Sequence, residues 1–235
     1  MTDYTPFCGA PPVPDELWSR WTFDPVLLAG LAVALALGWY GAQRRGRFVT
    51  GWGIAALLFI SPLCAASMAL FSARVAQHIL LTLLVAPIIA AALRPVRLPA
   101  LPFAVLFAAL FWAWHAPAPY IATLQSDFIY WSMHLSLLGS AVLLFATLRA
   151  APEKGLTAAA FTGAQLTLYA MIITLSPGVW HPWHFATAPA FGISALADQQ
   201  LAGGLMWVAG GALFMSIIAL MAHRFVREPD RSAQR

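Results

Sequence analysis

Charge is what this sequence has least of. Of its 235 residues, 9% are Asp, Glu, Lys or Arg while 61% are hydrophobic, and Lys154 is the single lysine. Soluble domains carry about 25% charged residues, so a water-soluble globule is excluded. With two cysteines there is no disulfide framework to substitute for a core. There is no H-E-x-x-H, no P-loop and no Gly-x-Ser-x-Gly elbow; "HPWH" has proline and tryptophan where a metalloprotease would place its base. Lys154 falls in a connection between apolar runs, which excludes a retinal Schiff base inside a bundle. The first 24 residues are polar and proline-rich, with no basic segment before an apolar core, so no cleavable signal is expected. None of this points to an enzyme.

What is present is long apolar runs, with a mean hydropathy of +0.76. A rise of about 1.5 Å per residue must cross about 30 Å of hydrocarbon, so a span needs about 20 residues. Its backbone groups must be satisfied internally, which requires helices, and the roughly ten-residue alternating segments of a barrel are missing. Seven runs qualify: Pro25–Gly41, Gly51–Phe71, Ala73–Leu93, Leu98–Trp114, Phe128–Leu148, Leu156–Pro177 and Ala195–Ala222. The expected fold is an all-α integral membrane protein, a seven-transmembrane-helix bundle over residues 25–224. A proline-rich tail (1–24) precedes it and a basic tail (225–235) follows. Eleven of the 13 basic residues fall on alternate connections and the C-terminal tail, leaving Arg20 and Arg74 on the other side with six of the nine acids. The positive-inside rule then places the N-terminus outside and the C-terminus in the cytoplasm. The high pI is a sign of topology, and membrane lipid rather than nucleic acid is the expected surrounding.

That orientation gives each histidine a depth. His78, His115 and His134 fall near the outer ends of spans three, four and five. His181 and His184 fall in the outer connection between spans six and seven, and His223 joins the basic tail. Imidazole suits copper, zinc, iron and nickel, and helix ends held close by short connections can converge on one ion. Cys8, Met68 and Met133 lie at the same level, and soft sulfur ligands favour Cu(I). Asp198, opening span seven, is a carboxylate kept where burial is expensive. The bland readings stay open beside these: an aromatic-belt loop for His181 and His184, a helix-ending residue before a proline for His115, and imidazoles bonded to a neighbouring helix for His78 and His134. Cys64 reads as deeper in span two than Cys8, which gives a disulfide poor support. Haem is the competing ligand, since paired histidines on facing helices bind iron axially.

The segments "YTPFCGAPPVPDELWSRWTFDP", "SPLCAASMALFSARVAQHILLTLLVAP", "WHAPAPY", "HPWH" and "DQQLAGGLMW" together resemble the multi-spanning CtaG-type assembly factors of caa3-type cytochrome c oxidase. The resemblance implies a multi-pass protein of the bacterial plasma (inner) membrane. It would help a haem–copper oxidase assemble by handling copper at the outer face, with oxidase subunits and other copper chaperones as partners. It carries His78, His115, His134 and Asp198–Gln199 over as family positions. Many members have a further histidine about a turn before the one in span five, where this chain has Tyr130. The expected metal-ligand set is therefore His78, His115, His134, His181, His184, Cys8, Met68 and Asp198. Metal-free docking of oxidase subunits is the remaining alternative.

Overall fold

The structure is a computed structural model, and it describes residues 4–212, 214–216, 218, 219 and 223. The arginines of the basic tail, from Arg224 onward, lie outside the described residues, as does part of the seventh run. Among the described residues the only regular structure is helix, and there are no strands. After a one-turn helix, α1 (Pro14–Leu17), come α2 (Pro25–Gly41), α3 (Arg45–Ile60), α4 (Pro62–Ala69) and α5 (Phe71–Ala92). Then follow α6 (Ala100–His115), α7 (Pro117–Thr123), α8 (Asp127–Ala150), α9 (Pro152–Leu175) and α10 (Ala195–Leu205). Their starts follow local rules. Pro25, Pro62, Pro117 and Pro152 occupy first-turn positions, where no N–H is needed. Asp24, Ser126 and Ser194 accept from backbone N–H groups of the first turn.

Among the described residues, three helices are long and apolar enough to cross a membrane: Phe71–Ala92, Asp127–Ala150 and Gly155–Leu175. The number rises to five if each bent pair is one span, α3 with α4 (52°) and α6 with α7 (76°). Both bends stand at prolines, and the run expected as one span from Gly51 to Phe71 is broken at Ser61–Pro62. Leu101, Leu135 and Leu168 point outward on these helices, and Leu28 and Val33 on the shorter α2, as apolar side chains facing lipid do.

Helix α5 is the axis of the bundle. It is the most buried of the three spans (61%, against 44% and 33%) and packs on α3, α4, α8 and α10. Its middle turns, Leu80–Val85, are π-helical, and a second π-helical segment, Met206–Gly210, follows α10 and packs against it. Such segments commonly mark functional sites. At its far end the Arg149 guanidinium donates to Ala91 O (2.9 Å) and Leu93 O (2.8 Å), a cation on the terminal carbonyls.

Helices α9 and α10 meet closely at Gly203, where an added Cβ would lie 2.0 Å from Thr174 Oγ1 and 2.9 Å from Ala170 O. Gly203→Ala is expected to destabilise the protein by about 1–3 kcal/mol through overpacking. Gly204→Ala, with nothing within 4 Å of its added carbon, is expected to be neutral or mildly stabilising. Unfolding temperatures in detergent check this, and equal values for the two variants would refute the close approach.

Candidate functional site

The site lies at the N-terminal end of α5. The chain leaves α4 through an extended Leu70 (φ −126°, ψ 131°), so α5 starts abruptly with unsatisfied N–H groups. Asp198, fully buried on α10, accepts from Phe71 N (2.6 Å), Ser72 N (3.1 Å) and Ser72 Oγ (2.5 Å). Both its oxygens are engaged, which makes it a helix cap complementing the dipole. Arg74, one turn into α5, is fully buried. It donates to Ser67 O, Thr123 Oγ1 (2.8 Å) and Met68 Sδ (3.6 Å). Its guanidinium carbon lies 5.1 Å from the Tyr120 ring centroid and 5.8 Å from that of Tyr130. Among the described residues, no carboxylate forms an ion pair with it.

One turn further on, His78 stands between His115 and His134, its ring centroid 5.3 and 5.1 Å from theirs. Their partners fix the tautomers. His115 Nδ1 faces Phe111 O (2.8 Å) and His134 Nδ1 faces Tyr130 O (2.9 Å), so each of these nitrogens carries the proton and donates it. The His115 Nε2 lone pair then accepts from His78 Nδ1 at 3.3 Å. This leaves Nε2 of His78 and Nε2 of His134 as buried lone pairs with no hydrogen-bond partner. Backbone carbonyls orienting Nδ1–H while Nε2 stays open is the arrangement that metal-ligating histidines use. Even so, among the described residues no three His, Cys, Asp or Glu side chains converge as a ready-made ligand set. A cavity of about 300 Å³ adjoins this group, lined by His78, His115, Thr82, Phe111, Met206 and Phe214 among others.

The connection after α9 folds inward and does not lie as an aromatic-belt loop at the surface. His181 and His184 are each 1% exposed. His184 Nδ1–H donates to Ala69 O (3.0 Å) and its Nε2 accepts from Tyr120 OH (2.7 Å). Trp183 Nε1 donates to Met68 O (2.9 Å) and Thr187 Oγ1 to Ala69 O (2.6 Å), so this segment caps the carbonyl end of α4. Gln199 accepts from Trp180 N (2.7 Å) and donates to Ile173 O and Gly178 O, which fixes the other side. His181 lies on the Phe71 and Tyr120 rings (4.4 and 4.0 Å between centroids), and neither of its nitrogens has a hydrogen-bond partner.

Cys8 is not a free thiol. It forms a disulfide with Cys64, Cα to Cα 5.5 Å, which corrects the poor support given to that bond; while the bond stands, Cys8 offers no thiolate to a metal. The bend at Ser61–Pro62 is the reason: it carries α4 back under the N-terminal tail. The tail is held down further by Tyr4 donating to Asp127 and by Phe7 stacked on Tyr130 (5.3 Å) and edge-on to Trp131 (5.0 Å). Cys8 Sγ lies 3.3 Å from Tyr130 OH, and the Tyr130 ring lies 4.3 Å from that of His134. Sequence reasoning named neither Tyr120 nor Ser72. A tyrosine or serine bordering an apolar run carries no signal of what it will meet. Arg74 was visible as a basic residue on the unexpected side, four residues before His78 and on the same helical face.

Burial outweighs every other influence on the loop histidines and pushes their pKa values down, His181 to about 3 and His184 to about 4. Both lie below the unfolded value near 6.5, so burying them neutral contributes fully above that pH. The contribution is lost as pH falls towards 4, where the unfolded chain takes up the protons first. The melting temperature in detergent is expected to drop between pH 7 and pH 4.5, and His184→Gln, which hydrogen-bonds without titrating, to flatten the slope. A melting temperature unchanged across that range would refute it.

Residues 93–228 match the family model described as cytochrome c oxidase caa3 assembly factor (Caa3_CtaG). The matched part contains His115, His134, His181, His184 and Asp198, while His78 and both cysteines precede it. No curated protein and no solved structure matches the chain. With more than half of its length matched, this helical membrane protein belongs to the cytochrome c oxidase caa3 assembly factor family.

Proposed function

We propose that the protein holds copper in a buried imidazole site and passes it to a subunit of the oxidase, without bond-making chemistry of its own. The observation that carries this reading is the pair of open Nε2 lone pairs on His78 and His134, with Nδ1–H of His134 tied to a backbone carbonyl and that of His78 to His115. Copper is the cargo. Two imidazoles suit Cu(I), which accepts low coordination. Charge points the same way. Arg74 stands one turn before His78 with no carboxylate paired to it, and Coulomb repulsion on a monovalent ion is half that on a divalent one. His181, with two open nitrogens beside Phe71 and Tyr120, serves as a further station for the ion.

The full arrangement is then seven spans in the bacterial inner membrane, the N-terminus and histidine end outside and the C-terminus in the cytoplasm. Copper arrives from other chaperones on the outer side. Haem is the weaker reading, because His78 and His115 already touch at 3.3 Å and His78 and His134 are in ring contact. Neither pair leaves space for a porphyrin plane between axial ligands.

Detergent-purified protein is expected to bind about one Cu(I) through imidazole, and His78→Ala with His134→Ala to abolish it. Retention of copper by that double variant, or a Soret band in protein made with ample haem, would overturn the reading. Copper-free protein that still co-purifies with oxidase subunits would assign the chain to metal-free docking.

A further inference from the structure

The Cys8–Cys64 pair stands in surroundings that a purely structural cross-link does not need. Both sulfurs are buried, 5% and 0% exposed by residue, and both face the Tyr130 hydroxyl, at 3.3 and 3.7 Å. Met68 lies one turn after Cys64 on α4, and its thioether accepts from the Arg74 guanidinium at 3.6 Å. Tyr130 therefore has the two sulfurs at its hydroxyl, Arg74 over its ring and His134 beside it. Among the described residues no carboxylate forms an ion pair with this buried arginine, so it is not neutralised by direct contact, and groups that carry negative charge are stabilised beside it. Thiols near such a cation ionise more readily, and thiolates prefer Cu(I).

We infer that Cys8 and Cys64, once reduced, form a two-thiolate Cu(I) site beside Arg74, and that the disulfide is the closed form of this site. Two thiolates and one Cu(I) carry a single net negative charge, which matches the guanidinium. The imidazole pair with Cu(I) is cationic and does not. Opening takes two electrons and two protons: the S–S bond breaks and two thiols form. In the test the electrons come from a phosphine, which leaves as its oxide. In the membrane they come from a dithiol reductant, which is left as a disulfide. Binding of Cu(I) by both sulfurs then releases the two protons. Access needs the tail to lift: residues 4–13 form no helix, and apart from the disulfide they are held by the Tyr4–Asp127 bond, the Phe7 stack, the Arg20 guanidinium on Ala10 O (2.7 Å) and the burial of Pro6 and Pro12. The inference rests on copper being the cargo, but not on the imidazole pair.

The experiment uses the full chain in detergent, as purified or after phosphine treatment, titrated anaerobically with Cu(I) against a chromophoric Cu(I) chelator. Reduction is first verified as two free thiols per chain. Reduced protein is expected to bind one Cu(I) more than oxidised protein, with sulfur scattering in its copper X-ray absorption. That extra ion is expected to disappear when the thiols are alkylated and in the Cys8→Ser, Cys64→Ser variant. Alkylation needs no mutation, so a variant that fails to fold leaves the question decided. Equal binding before and after reduction, an extra ion that survives alkylation, or a disulfide that the phosphine cannot open in the folded protein would each overturn the inference. If oxidised protein binds no copper while reduced protein binds one through its cysteines, the imidazole reading falls and this one stands.

Discussion

Everything at the histidine end depends on how one helix is allowed to begin. Phe71 starts α5 inside the protein, straight after an extended residue, where exposed N–H groups would be left without water. The Asp198 carboxylate, contributed from well over a hundred residues away, takes two of those groups and a hydroxyl. At the opposite terminus the Arg149 guanidinium sits on the last carbonyls. The central helix is thus clamped with a negative group at its positive end and a positive group at its negative end, as its dipole favours. With its start fixed, Arg74 and His78 have no freedom of register. Where α6 and α8 bring His115 and His134 is then a matter of packing against a fixed post.

The second constraint is a buried positive charge. Arg74 is surrounded by a hydroxyl, a backbone carbonyl, a thioether and two aromatic faces, each giving it partial negative potential without neutralising it. A protonated imidazole nearby would meet both the cost of desolvation and repulsion from this group. The loop histidines, His181 and His184, held neutral by burial, are consistent with such a neighbour.

The apolar runs made the helices legible: Pro25–Gly41 and the long helices appear within a few residues of the run boundaries, because length and hydropathy in a low-dielectric medium leave few alternatives. The grouping of His78, His115 and His134 was legible as well, since three helix ends at one depth in a short-looped bundle have little room to be apart. Three features were not. The break at Ser61–Pro62 reads as ordinary apolar sequence with one proline, yet it undid the depth assigned to Cys64 and with it the judgement on the disulfide. The π-helical turns at Leu80–Val85 and Met206–Gly210 leave no mark on composition. The loop histidines were read from their position near the boundary, whereas their burial is set by the carbonyls at the end of α4, a partner more than a hundred residues distant in sequence.

The bond between Cys8 and Cys64 also has a bearing on parity. Two sulfurs can be joined only if they reach the same oxidising compartment, so the chain between them must cross the bilayer an even number of times. Between them lie α2, seventeen residues long, and α3 with its bend. If α3 is a crossing, α2 must be one as well, short as it is. The covalent link then records that the first hairpin was threaded correctly: a chain inserted with α2 left at the surface would strand its two cysteines on opposite faces, unable to close.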